Sequence, residues 1–381
     1  MKIAQIAPLW ETVPPTTYGG TERVVYLLCR ELTSLGHEVT LYACGGSDVE
    51  NMRDVDIRVM SPAPLREMGL TFGDPLATQY ESEMIARVMR DAGEFDIIHN
   101  HLGFSMFPFA AFLGRPMVST MHNGFQPENL WDQISDAHPG LPLISISNAQ
   151  RRGRPELNYA GTIYHGLALE AYEPSFNTDN GYLAFLGRFS PEKGPHHAIA
   201  MARATGMKLK MAGKINDWEE DFFRSAIAPH LDGEQITFIG ELDFNQKLAF
   251  LRDARATLCP IEWEEPFGLV MAESMACGTP VLALRRGSVP ELVEPGVSGY
   301  TADTVEELTE ALTRLDTLDR RACSEYAHQR FSAGRMAEEH LSLYHRLISQ
   351  DPAGKSTAKK SAGDKILYMD PNGWSQRINY L

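Results

Sequence analysis

Two carboxylates give the first chemical clue. Glu265 and Glu273 stand in the string Glu262–Val293, EWEEPFGLVMAESMACGTPVLALRRGSVPELV, which follows an apolar run and opens a helix at about Gly268. A helix N-terminus presents unpaired N–H groups and partial positive charge, a ready site for a phosphate. Gly268 lets a ligand approach the backbone closely. Glu265 lies just before the helix, and Glu273 lies about two turns later, placed to reach ligand groups on the same side. The bare spacing also fits an ordinary amphipathic helix with two solvated glutamates, so the pair takes its meaning from the string around it.

Two cations give the second clue. In Ala184–Gly194, AFLGRFSPEKG, an apolar run delivers Gly187 and Arg188, and Lys193 precedes Gly194 and a helix-opening Pro195. Arg offers a planar fork and Lys a point charge, and together they neutralise a diphosphate and stabilise it as a leaving group. Tyr18–Glu22, YGGTE, follows the first strand and opens the first long helix. Its glycines, Gly19 and Gly20, leave backbone N–H groups accessible, as a simple helix-initiating turn would too. The string is not G-x-G-x-x-G, which speaks against a dinucleotide site there. His122, in STMHNG at a strand end, can donate one hydrogen bond and accept another.

The string E-P-F-G-L-V-M-A-E resembles the E-x7-E motif of the family 4 retaining glycosyltransferases, which have the GT-B fold. A-C-G-T-P-V-L-A and G-S-V-P-E-L-V are similar to that family as well, and the Arg188–Lys193 segment resembles its G-R-x3-E-K-G element. The likeness runs to about residue 349 and is most specific over 184–299. It implies that Glu265 contacts donor-sugar hydroxyls and Glu273 the ribose of the nucleotide. Arg188 and Lys193 would grip the donor phosphates, and His122 would face the donor sugar or its phosphate. Gly19, Gly20, Phe267, Gly268, Leu269 and Val270 would be neighbours of the donor. His165–Gly166 stands where the family has Asn-Gly, so the hinge loop departs from the pattern.

The elements that must position these residues alternate strand and helix. Strands are predicted at Lys2–Ala7, Glu38–Ala43, Ile57–Met60, Asp96–His101, Met117–Met121, Leu143–Ser147 and Thr162–Tyr164. A second set is predicted at Tyr182–Leu186, Lys208–Met211, Ile236–Ile239, Ala256–Pro260 and Pro280–Leu284. Helical spacing covers about 20–35, 75–92, 195–204, 217–228, 244–254, 268–277 and 304–315, and then runs unbroken from Asp319 to Ser349. This order implies parallel strands with right-handed crossovers. The expectation is an α/β protein of GT-B type, with two Rossmann-like, doubly wound domains and a cleft between them. Residues 1–170 form the acceptor domain and 171–331 the nucleotide-sugar donor domain. A helix over 332–350 is expected to pack back on the first, and 351–381 reads as linker and tail.

The bulk numbers agree with a two-domain globular enzyme. The chain has 381 residues, 43% of them hydrophobic and 22% charged, and a formal net charge of −15. Its size exceeds a single core, and its acidity speaks against a nucleic-acid partner. Five scattered cysteines without a CxxC pair suggest a reducing, cytoplasmic setting and no zinc site or disulfide framework. The N-terminus does not read as a signal peptide, and no apolar run reaches the ~20 residues of a membrane span. The longest such run, Phe104–Leu113, reads as a buried segment. Asp54 and Asp56 form a D-x-D remote from the phosphate motifs, a chance pair. His99 and His101 are placed to line the acceptor side, and with no carboxylate beside them no metal is expected.

The resemblance implies transfer of a hexose, with retention, from a nucleotide-diphosphate sugar to an acceptor. No cofactor is needed, and a UDP-sugar is slightly favoured. Three alternatives remain open: a GT-B enzyme that epimerises or phosphorolyses sugars, a non-catalytic nucleotide-sugar sensor, and a nicotinamide dehydrogenase. The last is disfavoured by the missing glycine fingerprint.

Overall fold

The computed structural model describes residues 1–16, 19–47, 52–125, 136–176 and 181–350. The expectations for Tyr18 and for the 351–381 tail therefore fall outside the described residues. The first sheet is built from β1 (Lys2–Ile6), β2 (Glu38–Ala43), β3 (Val55–Val59), β4 (Ile97–Asn100), β5 (Met117–Thr120), β6 (Leu143–Ser145) and β7 (Tyr159–Thr162). Its spatial order is β3-β2-β1-β4-β5-β6-β7, and its neighbours pair in parallel. The second comprises β8 (Tyr182–Leu186), β9 (Lys208–Ala212), β10 (Ile236–Phe238), β11 (Ala256–Cys259), β12 (Val281–Leu284) and β13 (Gly299–Ala302). It is also parallel, in the order β10-β9-β8-β11-β12-β13.

Each order reverses once, between β1 and β4 and between β8 and β11. Ligands of open α/β sheets bind outside the carboxyl ends of the strands at such switch points. The loops that leave these strand ends are the ones that carry the phosphate and histidine motifs.

Helices cover both faces of each sheet. The first sheet carries α1 (Gly20–Ser34) and α2 (Pro75–Asp91). Val24, Val25, Leu28 and Leu32 of α1 are buried, the one-sided stripe a sheet-packing helix requires. The second sheet carries α3 (Pro195–Thr205), the single turn α4 (Glu220–Phe222), α5 (Phe244–Arg252), α6 (Leu269–Ala276), the short α7 (Val289–Leu292), α8 (Val305–Ala311) and α9 (Arg320–Arg330). The last described helix, α10 (Ala333–Gln350), packs against α1 in the core of the first sheet.

Several sequence expectations need correction. The helix expected over Asp319–Ser349 is two helices, broken at Phe331 and Ser332. Phe331 is fully buried in the core of the second sheet, whereas Ala333, Met336 and Tyr344 enter that of the first. The chain changes partner at the break, where Leu167 N–H donates to Phe331 O (2.8 Å) and Ala333 N–H to Leu167 O (3.0 Å). Helical spacing continues through this crossing, so the sequence pattern does not reveal it. Phe104–Leu113 is not wholly buried. It lies mostly in a 3-10 helix, Gly103–Phe112, that buries Met106 and Phe107 and leaves Phe112 73% exposed. Strand β7 begins earlier than expected, and residues 217–228 mix 3-10, α and π turns. Strand β13, GYTA, was not predicted, because it offers no apolar run. All five cysteines are buried and unpaired. Among the described residues no helix is long and apolar enough to cross a membrane.

The two sheets are clasped by one carboxylate. Glu291, on α7, accepts hydrogen bonds from Asn148 N–H (2.9 Å), Ala149 N–H (2.6 Å) and Tyr164 O–H (2.8 Å). Asn148 Nδ2–H donates to it as well (3.1 Å), so removing it leaves four donors without that acceptor. Glu291→Ala is expected to lower the free energy of urea unfolding by about 1–3 kcal/mol, and Tyr164→Phe by only about 0.5–1.5 kcal/mol. Equal stability of Glu291→Ala and the parent protein would remove the clasp from the account.

Candidate active site

The Glu265 turn is held from below. Gly268 caps α6 with φ 81°, a left-handed conformation natural to glycine, and a side chain there would strike Met271 Cε at 2.4 Å. Ser288 N–H donates to Glu265 O (2.8 Å), and Ser288 O–H donates to Phe267 O (2.7 Å). Gly287 N–H donates to the Glu264 carboxylate (2.9 Å). The G-S-V-P-E-L-V string is thus the platform under the E-P-F-G turn. The Glu265 carboxylate accepts from Lys193 and from Trp263 Nε1–H (3.0 Å), and the Lys193 ammonium lies 4.8 Å from the centre of the Trp263 ring. Lys193 reaches that position because Gly194 packs against the exit of β11. A Cβ on Gly194 would lie 2.0 Å from Pro260 O.

Arg188 leaves the end of β8 and donates to Glu219 (2.8 Å) and Glu192 (3.1 Å). These bonds fix the fork while using only part of its five N–H groups. Glu273, buried in α6, accepts from Lys247 and from Tyr172 O–H (3.2 Å).

Three adjoining cavities open at the strand ends. The first, of about 310 Å³, is lined by His122, Arg188, Lys193, Glu265 and residues 267–271. The second, of about 190 Å³, is lined by Gly19, Arg23, Lys247, Glu273, Leu269 and Val270. The third, of about 660 Å³, extends over the first sheet. Gly20 and Arg188 line all three. Gly20 faces Leu269 across the cleft so closely that a Cβ there would lie 3.3 Å from the Leu269 side chain.

Every residue named from the sequence for the donor site lines the first or second cavity, and Gly19 reaches the third too. Phe267 does so with its ring 1% exposed and packed on His165, so the opening is made by Gly268 beside it. Glu219, Lys247 and Tyr172 were not read from the sequence, since each belongs to no phosphate-type string, and Trp263, which lies within the Glu265 string, carries no charge that would mark it. Asp54 and Asp56 line none of the three. Among the described residues, one trio suits a metal, His196, His197 and Glu262, with ligand atoms within 4.8 Å of one another. None of the three lines these cavities.

His122 ends a chain of buried hydrogen bonds. It runs from His122 Nε2 to His101 Nδ1 (2.8 Å) and from His101 Nε2 to Gln5 Oε1 (2.8 Å). Gln5 Nε2–H donates to the Tyr344 hydroxyl Oη (3.1 Å), which in turn bonds His99 Nδ1 (2.6 Å), and His99 Nε2 bonds Thr120 Oγ1 (2.7 Å). The Gln5 amide sets the polarity. Its oxygen can only accept, so His101 carries its proton on Nε2 and presents a lone pair at Nδ1. His122 therefore carries its proton on Nε2, and its buried Nδ1 is a lone pair without a partner among the described residues. Burial holds His122 down to about 3 and keeps it neutral. His99, expected on the acceptor side, is instead fully buried within this chain, while His101 lines the third cavity. Gln5 is the one buried polar residue of β1, and that was its only trace in the sequence.

The fold and the site define a two-domain, nucleotide-sugar type of glycosyltransferase. Residues 171–330 match the family "Glycosyl transferases group 1", and residues 18–154 match "Glycosyltransferase Family 4". The chain belongs to this family of glycosyltransferases and has the GT-B fold. It is 28% identical over 356 residues to a glycogen synthase of Mycobacterium tuberculosis, covering 79% of this chain and 82% of the relative. A glycosyltransferase involved in avilamycin A biosynthesis superposes with a TM-score of 0.68 at 28% identity, covering 92% of this chain and 98% of that one. The Anabaena protein HepE, solved with UDP-glucose, shares the fold at a TM-score of 0.68 and 20% identity, covering 92% and 100%.

The buried histidines make stability depend on pH. Burial lowers the pKa of His99, His101, His122, His165 and His340 below the ordinary 6.5. Unfolding then takes up protons below about pH 6.5, so their contribution is complete above that pH and is lost as pH falls. Glu22, which burial pushes up to about 7, acts in the opposite sense and offsets one proton. Urea unfolding is expected to show stability falling between pH 6.5 and pH 5 by ~1 kcal/mol per pH unit for each net proton. A flat profile over that range would contradict a neutral, buried histidine chain.

Proposed function

We propose that the chain moves a hexose from a nucleotide-diphosphate sugar to an acceptor with retention of anomeric configuration, with a UDP-sugar as the favoured donor. One observation carries this reading. Arg188 and Gly20 lie where the three cavities meet, with Lys193, Glu265 and the N-terminus of α6 around the first of them. A diphosphate at that junction would have its sugar toward Glu265 and His122, its nucleoside toward Glu273, and the acceptor in the third cavity. HepE, seen with UDP-glucose, lends support to the choice of base and sugar.

Each residue then has a role that its surroundings suit. Arg188 and Lys193 stabilise the charge that grows on the departing diphosphate, assisted by the N–H groups that open α6. Glu265 is steadied by Lys193 and Trp263 and accepts from sugar hydroxyls. The lone pair on His122 Nδ1 accepts from another hydroxyl of the same sugar. Glu273, fixed by Tyr172 and Lys247, accepts from the ribose. Glu265 is committed to holding the sugar, so transfer proceeds on one face. The anomeric carbon–oxygen bond to the diphosphate breaks as the bond to the acceptor oxygen forms, and the acceptor proton passes to the diphosphate. Closure of the two domains excludes water and limits hydrolysis. The five buried thiols fit a reducing, cytoplasmic setting.

A thermal-shift screen of nucleotide sugars is expected to single out the donor by the stabilisation it gives. With that donor, Lys193→Ala is expected to lower turnover by about tenfold or more while the circular dichroism spectrum at the assay temperature stays that of the parent. Near-normal turnover in that variant would contradict the proposal.

A further inference from the structure

We infer that the acceptor is an uncharged carbohydrate, held by ring stacking on Phe72 and Trp218 in the third cavity, and not a phosphorylated or otherwise anionic molecule. The inference rests on the donor-site reading above and adds to it the chemistry of the acceptor. Phe72 and Trp218 are each 70% exposed, among the most exposed large apolar side chains described. Both line the same cavity, Phe72 from the first half of the chain and Trp218 from the second. Trp10 lies beside Phe72, with ring centroids 4.2 Å apart, and widens the apolar floor. Exposed aromatic surface concentrated in one groove marks a ligand contact, and a sugar's C–H face matches an aromatic ring.

The charges in the cavity point the same way. Its described lining contains three carboxylates, Glu11, Glu22 and Glu81, and two guanidinium groups, Arg66 and Arg188. Arg66 is paired with Glu11 at 2.6 Å, and Arg188 is paired with Glu219 and Glu192. The Trp10 indole hydrogen-bonds Glu81. With Arg188 assigned to the donor diphosphate, a phosphate on the acceptor would meet three carboxyl groups and one further guanidinium among the described lining residues, Arg66, which is already held by Glu11. Sugar hydroxyls instead donate to carboxylates and need no counter-charge. The volume of about 660 Å³ lies within the usual range of small-ligand sites.

The test uses the full chain in two assays that separate this inference from the donor reading. Donor consumption without acceptor, followed as slow hydrolysis of the nucleotide sugar, reports the donor site alone, and its absence would defeat the donor reading. Binding to a glycan array of neutral, sulfated, sialylated and phosphorylated saccharides, with UDP present, reports the acceptor. Retention on neutral glycans alone is the expected result. Preference for an anionic class, or retention on no neutral glycan, overturns the inference. With the best neutral glycan as acceptor, Phe72→Ala and Trp218→Ala are each expected to raise the acceptor KM by about tenfold while the donor KM moves less than about twofold. An acceptor KM unchanged in both variants also overturns it.

Discussion

The structure turns on two cations held at the seam between two domains, where the proposed diphosphate would sit. Free cations at such a place would repel one another and be costly to desolvate. Here each is already engaged: Arg188 by Glu219 and Glu192, Lys193 by Glu265. The carboxylates keep the cations in place before a ligand arrives. Glu265 also couples the two ends of the donor, since the side chain proposed to hold the sugar is the one that positions the lysine proposed to hold the phosphate.

Such a seam requires close backbone approach, and small residues provide it. Gly20 meets Leu269 across the cleft, and Gly194 lies against the end of β11. On the far side of the cleft, the polar chain that ends at His122 is neutral. The chain from Thr120 through His99, Tyr344, Gln5 and His101 to His122 spends its donors and acceptors internally and leaves one buried lone pair, on His122 Nδ1, without a partner among the described residues. Tyr344 belongs to α10, so the terminal helix that completes the first core also anchors this polar chain. One half of the site thus carries paired ions, and the other offers oriented neutral dipoles.

Much of this was legible in the sequence, and for a physical reason. Parallel strands buried on both faces are short apolar runs, and the helices between them show one-sided spacing, so both sheets and the cleft followed from pattern. Glycines and charges clustered after strands, as in the Arg188 and Glu265 strings, marked turns that line the cavities. What stayed hidden was contact between distant segments. Lys247 beside Glu273, Glu219 beside Arg188 and Tyr344 beside Gln5 leave no local pattern. The break at Phe331–Ser332 was missed because helical spacing persists while the packing partner changes. Strand β13 was missed because Gly299 packs by its backbone, with no room for a side chain against Val281 O.

The central claim is that the diphosphate, more than the nucleoside, is what the seam recognises. Titration calorimetry of UDP and of uridine, on the parent protein and on Arg188→Ala, measures this directly. The account predicts that UDP binds at least about a hundredfold more tightly than uridine and that Arg188→Ala removes most of that difference while leaving uridine binding unchanged. Equal affinities for UDP and uridine, or a difference untouched by the substitution, would contradict it.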